Sequence, residues 1–520
     1  MIDMHGIFLI ALFAPAIAAL VCLLVPAKEA GGCRHLATFA TLVSLVAILA
    51  LFAGFQQHGG TGFVYRLQAS WIPEIGASFD VGLDSTSMVL LLLAGLVNFC
   101  GVLVGGPAKR EKEYLIFYLL LASGAMLAVT ALDLLLFYVA LEVDVLCAFL
   151  MIACWGDLKD GAQGRTPVKA AITLTLFLAA GAVLVSLGFW ALYHLGGHTF
   201  SLPAMQAFLA ENPLAPDTQH WVFLVLFAGF GVLLSVWPMH IWAPLGYAAA
   251  PTSMSMISAG VLKTLGAYGL MRVAIPLLPE GAQAWSGTMA TLALVNILYG
   301  AWMTLRQTDW KLLIGYSAVS HMGYVLLGLA ALNTAGTTGA LMLLFAHGLA
   351  TAAAFALIGA VEARTGTRAL AGMSGLARTL PFAGPAMVLT AFAICGLPGF
   401  ASFWGEIMVM VGAWQHGTLP FRAAVVVAVT GLVLTATYML AAIRASFFGP
   451  VRADADTSPE VASAGFKLAC VILIGASMLV GFAPRILTDL VPGEGRVTRA
   501  QSAGVAELRP PEAAPEAGAK

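Results

Sequence analysis

The sequence predicts an all-α integral membrane protein with about fourteen transmembrane helices, because runs of about 20 apolar residues recur along it. Of its 520 residues, 60% are hydrophobic and only 10% are charged, whereas soluble globular proteins carry about 25% charged residues. The predicted spans cover residues 6–26, 36–55, 85–105, 114–131, 133–154, 168–193, 221–241, 251–276, 285–305, 311–332, 337–361, 382–412, 423–447 and 466–486.

The distribution of Lys and Arg supports this division and predicts the orientation. Cytoplasmic loops of membrane proteins carry an excess of Lys and Arg. Here the basic clusters follow odd-numbered spans, while residues 196–220, after the sixth span, contain neither Lys nor Arg. Both termini are therefore predicted to face away from the cytoplasm. The clusters are Lys28 and Arg34; Lys109, Arg110 and Lys112; Lys159, Arg165 and Lys169; Arg306 and Lys311; Arg364, Arg368 and Arg378; and Arg444, Arg452 and Lys467.

Composition and motifs exclude several functions. The net charge of −1 excludes a strongly basic surface for nucleic acid. The seven cysteines are scattered without a CxxC pair, whereas zinc and iron–sulfur sites need clustered thiolates. The sequence contains no Gly-rich phosphate loop, GxSxG elbow or HExxH motif. We therefore expect no cofactor, no metal site and no catalytic redox residue in this chain.

Two predicted spans are interrupted by proline and glycine in a similar way. One is LLSVWPMHIWAPLGYAAAP, residues 233–251, and the other is AICGLPGFASFWGE, residues 393–406. Proline removes a backbone donor and disrupts a helix interior. Pro238, Pro244 and Pro398 are therefore predicted helix breaks, although ordinary proline kinks, which membrane helices tolerate, are an alternative.

Matching interrupted spans are typical of transporters built from inverted repeats. They predict two inverted five-helix repeats, formed by spans 4–8 and 9–13, with discontinuous helices at spans 7 and 12. The end of the chain is rich in Pro, Ala, Gly and Glu and is expected to be disordered. The predicted units are residues 1–112 with helices 1–3, 113–278 with the first repeat, 279–448 with the second, 449–492 with helix 14, and 493–520 as the tail.

Ionisable residues inside the predicted spans are the functional candidates. A charge at the bilayer centre costs at least about 2.5–3.5 kcal/mol, so such residues are seldom kept without a role. They occur one or two per helix along several helices, as in a proton relay, and do not converge as in an enzyme site. The candidates for the proton pathway are Glu142, Lys263, His321, His347 and Glu406, with Asp144 and His240 as accessory candidates.

Structural roles remain open for several of these residues. Asp144 lies two residues from Glu142, so the two carboxylates point to different faces of the helix, and one of them could cap or pair locally. His321 and His347 could be hydrogen-bonded core histidines. His240, inside the first break, could donate to the backbone carbonyls that the prolines free.

Several stretches of the sequence resemble one family. Over roughly residues 70–490, the chain resembles the M-type antiporter-like subunit of bacterial respiratory complex I (NADH:quinone oxidoreductase). That family is related to subunits of Mrp-type cation/proton antiporters and of membrane-bound hydrogenases. The stretches are LLFYVALEVDVL, APTSMSMISAGVLKTLGAYGLMR, LYGAWMTLRQTDWKLLIGYSAVSHMGYVLLG, AHGLATAAAF, ARTGTRAL, GLPGFASFWGE and GFAPRILTDL.

The resemblance implies a fold of fourteen helices with two inverted repeats and a function in proton movement, driven by quinone chemistry elsewhere in a complex. The chain would then be a non-redox subunit of a translocase in the bacterial inner membrane, with L- and N-type antiporter-like subunits as neighbours. By motif, Glu142, Lys263 and Glu406 match the family's glutamate, lysine and glutamate on helices 5, 8 and 12. His321 and His347 match its central histidines.

The chain departs from the family pattern at helix 7. Where the family has a lysine that pairs with the glutamate of helix 5, this chain has Leu233, and a lysine of helix 6 is replaced by Thr173. Without a cation nearby, a desolvated Glu142 is expected to stay neutral. Three hypotheses follow: proton movement continues with an altered channel; the subunit is a non-pumping spacer; or the chain belongs to an energy-converting hydrogenase or a sodium/proton antiporter.

Overall fold

Eleven helices in the described part of the chain are long and apolar enough to cross a membrane. The computed structural model describes residues 4–26, 30–57, 62–157, 166–451, 460 and 462–491. The predicted tail, 493–520, and the loop residues Lys28, Lys159, Arg165 and Arg452 lie outside the described residues. The helices are α1 Met4–Leu24, α2 Ala30–Gln57, α3 Ser85–Val104, α4 Glu111–Thr130, α5 Leu134–Trp155, α6 Pro167–Leu195, α7 Leu202–Glu211, α8 Pro216–Leu233, α9 Trp242–Ala249, α10 Thr252–Ile257, α11 Thr264–Gly269, α12 Ile275–Leu277, α13 Pro279–Leu305, α14 Trp310–Ala330, α15 Thr334–Thr365, α16 Leu376–Thr379, α17 Ala383–Ile394, α18 Ala401–Gln415, α19 Leu419–Phe447, α20 Ala464–Phe482 and α21 Arg485–Thr488.

The two predicted discontinuous helices are confirmed. The seventh span divides into α8 and α9, and the twelfth divides into α17 and α18. Pro238 and Pro398 lie in the irregular segments between the two halves. Pro244 does not: it lies in the first turn of α9, where a proline is tolerated because the N–H groups of a first turn have no partner within the helix. The prediction of Pro244 as a break is therefore wrong.

The eighth predicted span is a distorted helix. Segments α10, α11 and α12 are joined by π-helical turns at Ser258–Leu262 and Leu270–Ala274. Lys263 follows directly after the first of these turns. Single π-turns are rare and are frequent at functional sites, and the sequence pattern gave no sign of them.

Contacts between loops show that successive helices alternate in direction. At one end of the bundle, the backbone N–H of Leu132 donates to Asp80 O at 2.8 Å, and that of Leu134 donates to Phe200 O at 2.9 Å. These contacts join the connections after spans 2, 4 and 6. At the other end, Trp310 N–H donates to Arg368 O at 3.1 Å, which joins the connections after spans 9 and 11. We call this second end, which carries the clusters of Lys and Arg, the basic end.

A β-hairpin between α2 and α3 is an element that the sequence analysis missed. Strands β1 (Val64–Ile72) and β2 (Ala77–Leu83) pair in antiparallel fashion. An ion pair joins Arg66 on β1 to Asp80 on β2, with 2.6 Å between Nη2 and Oδ2. Strands of this length do not produce a long apolar run, so the membrane-span pattern predicts only a connection between spans 2 and 3.

Glycines bring α15 and α18 into backbone contact. A Cβ atom at Gly339 of α15 would lie 2.5 Å from the backbone nitrogen of Val409, and one at Gly405 of α18 would lie 2.8 Å from that of Leu343. Membrane helices associate through small residues that allow such close approach. This packing fixes α18, which carries Glu406, against the central helix α15.

Replacing Gly339 with alanine should separate α15 from α18. The added methyl group meets backbone and cannot be accommodated by a rotamer change, and overpacking of this kind costs about 1–3 kcal/mol. We expect a lower thermal unfolding temperature of the purified protein. Gly475→Ala on α20 is the matched control, because nothing lies within 4 Å of a Cβ atom there. Equal stability of the two variants would contradict the packing described.

Candidate functional site

Lys263, His321 and His347 form a cluster at the centre of the bundle. All three side chains are almost completely buried. The imidazole rings of His321 on α14 and His347 on α15 are stacked, with centroids 4.7 Å apart. Lys263 is close enough to act electrostatically on both rings. Its ammonium group has no hydrogen-bond partner among the described residues.

The His321 ring is held between two backbone carbonyls. Its Nδ1 lies 2.8 Å from Ser317 O on the same helix, and its Nε2 lies 3.0 Å from Ile394 O at the end of α17. A neutral imidazole has one donor and one acceptor nitrogen, whereas the imidazolium ion has two donors. The protonated ring therefore satisfies both carbonyls, and the neutral ring satisfies one. This site can hold a proton and release it.

Glu406 of α18 lies beside the break between α17 and α18. A Cβ atom at Gly396 would lie 2.0 Å from its Oε2, so the carboxyl group packs directly against the interrupted backbone. The side chain is buried, and its Oε1 has no partner within the described ranges. Gly396 has a φ of +65°, which glycine adopts readily, and a side chain there would displace the carboxyl group.

Ser317 and Tyr438 connect His321 with Glu406, and the sequence analysis missed both. The hydroxyl groups of Ser317 and Tyr438 are hydrogen-bonded at 2.8 Å, while the carbonyl of Ser317 contacts His321. Glu406 lies within electrostatic range of Tyr438. Ser317 lies one helical turn before His321, a spacing that would have indicated contact, but Tyr438 carries no comparable sequence signal.

Asp144 of α5 lines a small apolar cavity. The cavity measures about 30 Å³, and its wall includes Asp144, Leu233 and Ser258. Both carboxylate oxygens of Asp144 are buried without a partner in the described chain. Ser258, whose hydroxyl is also unpartnered there, begins the π-turn that ends before Lys263.

Glu142 is not among the residues that line this cavity. Its side chain is half-buried and interacts with Tyr138 on the same helix. The expectation that Glu142 faces Leu233 therefore does not hold, because the two carboxylates of α5 are two residues apart and the inward position belongs to Asp144. Thr173 also lies outside the cavity, and its hydroxyl donates to Lys169 O at 2.9 Å.

His240 lies in the irregular segment between α8 and α9. It is buried and packs edge-on against Tyr299 of α13, with ring centroids 5.0 Å apart. It is not a lining residue of the Asp144 cavity. Both of its ring nitrogens are buried without a partner in the described chain, so His240 shares this property with Lys263, His347 and Glu406 although it does not line the cavity of Asp144.

Several of the candidate residues carry buried polar atoms without a partner. Buried polar atoms in proteins are almost always hydrogen-bonded to protein or to ordered water. The side chains of Asp144, Ser258, Lys263, His347 and Glu406 each contribute at least one unpartnered atom in the described chain. These atoms therefore lack the partner that buried polar groups normally have.

A family model described as NADH:quinone oxidoreductase/Mrp antiporter, transmembrane, matches residues 131–435, more than half of the chain. The chain belongs to this family. Two bacterial family members match nearly the full length. NAD(P)H-quinone oxidoreductase chain 4 of Synechococcus elongatus is 33% identical over 492 residues, 92% of this chain and 88% of that protein. NADH-quinone oxidoreductase subunit M of Rhodobacter capsulatus is 31% identical over 502 residues, 94% of this chain and 95% of that protein.

Solved structures of the family share the fold. A chain of respiratory complex I from Thermus thermophilus superposes with a TM-score of 0.82 and 28% identity, over 93% of this chain and 98% of that chain. A chain of the Mrp complex from Dietzia superposes with a TM-score of 0.78 and 21% identity, over 94% of this chain and 96% of that chain. The second likeness concerns the fold alone.

Proposed function

We propose that the chain is the M-type, antiporter-like membrane subunit of a complex I-type NADH:quinone oxidoreductase and that it moves protons. Full-length relatives named as chain 4 or subunit M of such enzymes support this assignment. In this proposal the chain has no redox chemistry of its own. Other membrane subunits of the assembly are its neighbours, and quinone reduction in those partners drives the protons.

The observation that carries proton movement is the set of buried ionisable groups across the bundle. Lys263 acts on two stacked histidines, and His321 connects through Ser317 and Tyr438 to Glu406. We assign the carboxylate of α5 in this route to Asp144 in place of Glu142, because only Asp144 faces the interior cavity. Glu142 and His240 then have structural roles.

The orientation and the division of the chain follow from the same proposal. The basic end faces the cytoplasm of a bacterium, in its inner membrane, and both termini lie on the opposite side. The two inverted repeats cover residues 113–278 and 279–448, and each contains one of the two broken helices.

A non-pumping spacer is the second candidate, and one observation favours it. The cavity at Asp144 is lined mainly by leucines and contains no Lys or Arg, including at Leu233. Such a site lacks the cation that would stabilise a charged carboxylate. Proton stoichiometry distinguishes a spacer from a pump, because a spacer contributes no protons.

Lys263→Met and Glu406→Gln should each lower the number of protons moved per NADH oxidised. Neither replacement side chain can exchange a proton, and both keep the approximate volume of the original. The measurement is proton uptake by vesicles containing the purified complex, with NADH oxidation followed in parallel. Glu211→Gln, at an exposed position on α7, is the control. Unchanged stoichiometry in both test variants would favour the spacer.

A further inference from the structure

A large cavity opens at the basic end of the bundle. It measures about 720 Å³ and lies between the ends of α5, α14, α15 and α17. It reaches the surface at Asp157, Ala363 and Ser463, which are exposed. On the inner side, its wall includes Ala250, at the junction of α9 and α10, and Lys311. Polar and ionisable side chains on its wall make it a space that water can fill.

Lys311 forms part of the inner wall of this cavity. Its side chain is buried, and its Nζ donates to Ala250 O at 3.0 Å. The nearest carboxylate oxygen is Oε2 of Glu362, at 3.9 Å. An ammonium group has three donors, so the Ala250 carbonyl and the long contact to Glu362 leave donor capacity that faces the cavity.

Arg368 lies beside Lys311 and contributes differently. Its Nε is 3.1 Å from Asp309 Oδ2 and 3.9 Å from Glu362 Oε1, and its Nη1 donates to Ala248 O at 2.9 Å. An arginine in a protein stays charged, whereas a buried lysine can release its proton. Arg368 is therefore a fixed charge that binds the end of α9, whereas Lys311, like the carboxylates of Asp157, Glu362 and Glu460 on the same wall, can exchange a proton.

A row of polar groups continues from Lys311 into the bundle along α10. Ala250 O, the acceptor for Lys311, also accepts from Ser255 Oγ at 3.2 Å. Ser258 lies three residues after Ser255, so the two hydroxyls are neighbours on one helix face. Ser258 lines the cavity of Asp144. Ser255 and Ser258 therefore lie between the wall of the large cavity and the cavity of Asp144, and because Ser258 Oγ has no hydrogen-bond partner in the described chain, water is needed to link them.

The opposite side of the Asp144 cavity is apolar. The residues that α6 and α8 contribute to it are Leu174, Leu178 and Leu233. None of these side chains can carry a proton, whereas the approach along α10 meets the hydroxyls of Ser255 and Ser258.

We propose that protons enter this subunit through the cavity at the basic end and that Lys311 passes them towards Asp144, an inference that rests on the proposed function. A hydronium ion that enters the cavity from the bulk solvent gives a proton to the neutral amine of Lys311 and becomes a water molecule. The ammonium group then gives a proton to a water molecule hydrogen-bonded at Ser255 or Ser258. Each serine hydroxyl releases one proton as it accepts another, and the Asp144 carboxylate takes up the last. Lys311 and the serines return to their starting states.

The test is a comparison of Lys311→Arg with Lys311→Met in the complete complex. Arginine keeps the positive charge and can donate to Ala250 O, but it does not release a proton. If Lys311 transfers protons, both variants should lose as many protons per NADH as Glu406→Gln. The matched controls are Lys169→Arg and Lys169→Met, at an exposed position in the first turn of α6. They should behave as the unmodified complex.

Each outcome decides between the two proposals. Wild-type stoichiometry in Lys311→Arg would overturn this inference, because the role of Lys311 would then be that of a structural cation. If Glu406→Gln also leaves the stoichiometry unchanged, the proposed function fails as well. The amount of this subunit in the purified complex and its NADH oxidation without a proton gradient show whether each variant assembles. The arginine variant keeps the test decisive if the methionine variant does not assemble.

Discussion

Asp144→Asn should abolish proton movement through this subunit, whereas Glu142→Gln should leave it unchanged. Asparagine has nearly the size of aspartate, so the packing against Gly124, where a Cβ atom would lie 2.3 Å from Asp144 Oδ1, is preserved. The amide cannot accept and release a proton. Glu142 is half-buried beside Tyr138 and does not line the cavity. The number of protons moved per NADH in vesicles should therefore fall for Asp144→Asn alone.

This comparison has its own control for structure. Both changes remove one carboxylate from the same helix, two residues apart, so they alter the net charge of the subunit equally. If Glu142→Gln lowers the number of protons moved per NADH and Asp144→Asn does not, the carboxylate of Glu142 carries the protons. That result would leave the family assignment unchanged, but it would contradict the placement of the proton route at Asp144 of α5.

Leu233→Lys should be tolerated in the presence of Asp144 and strongly destabilising without it. The two residues line one cavity, so a lysine at the end of α8 can pair with the carboxylate. Removing one partner of a buried ion pair typically costs about 3–5 kcal/mol, because the remaining charge is left without compensation. The double variant Leu233→Lys/Asp144→Asn should therefore show a much lower thermal unfolding temperature than either single variant.

The same replacement beside Glu142 provides the matching control. Leu233→Lys/Glu142→Gln keeps Asp144 and should be as stable as Leu233→Lys. If the double variant with Asp144→Asn is no less stable than the sum of its single changes, the two positions do not interact. That result would contradict the placement of Leu233 and Asp144 on the wall of one cavity.

Long apolar runs predicted most of the fold. In lipid, the backbone N–H and C=O groups of a span must be hydrogen-bonded within the protein, and a helix is the usual way for an apolar run to achieve this. Local capping was also predictable. Asp133 caps α5, with its side chain accepting from the N–H groups of Leu135 and Leu136, as expected of an aspartate at the start of a helix. The π-turns around Lys263 and the β-hairpin were not predictable, because tertiary packing determines the first and windows for membrane spans do not detect the second.

Within the candidate site, the sequence predicts which residues are ionisable and buried, but it does not predict the direction in which each side chain points. The sequence shows which charges lie in apolar surroundings, and this pattern predicts Lys263, His321, His347 and Glu406 as candidates. The stacking of the two histidines depends on how α14 packs against α15, which no local pattern specifies. For α5, the family motif favoured Glu142, and only the rotation of the helix in the bundle shows that Asp144 faces the interior.

The packing of α15 limits how this subunit can change its conformation. With 32 residues, the helix is about 48 Å long at 1.5 Å per residue, more than the ~30 Å hydrocarbon core. It touches α18 at Gly339, and at Gly348 it meets the distorted helix at Gly260, where a Cβ atom would lie 3.0 Å from Gly348 O. Transporters with inverted repeats commonly alternate access by rocking one repeat against the other. Of these two contacts, only Gly348 with Gly260 joins the two proposed repeats, and this backbone contact opposes rocking at that point. Under the proposed function, we therefore expect access to the two membrane faces to alternate through side-chain rotation and the entry and exit of water.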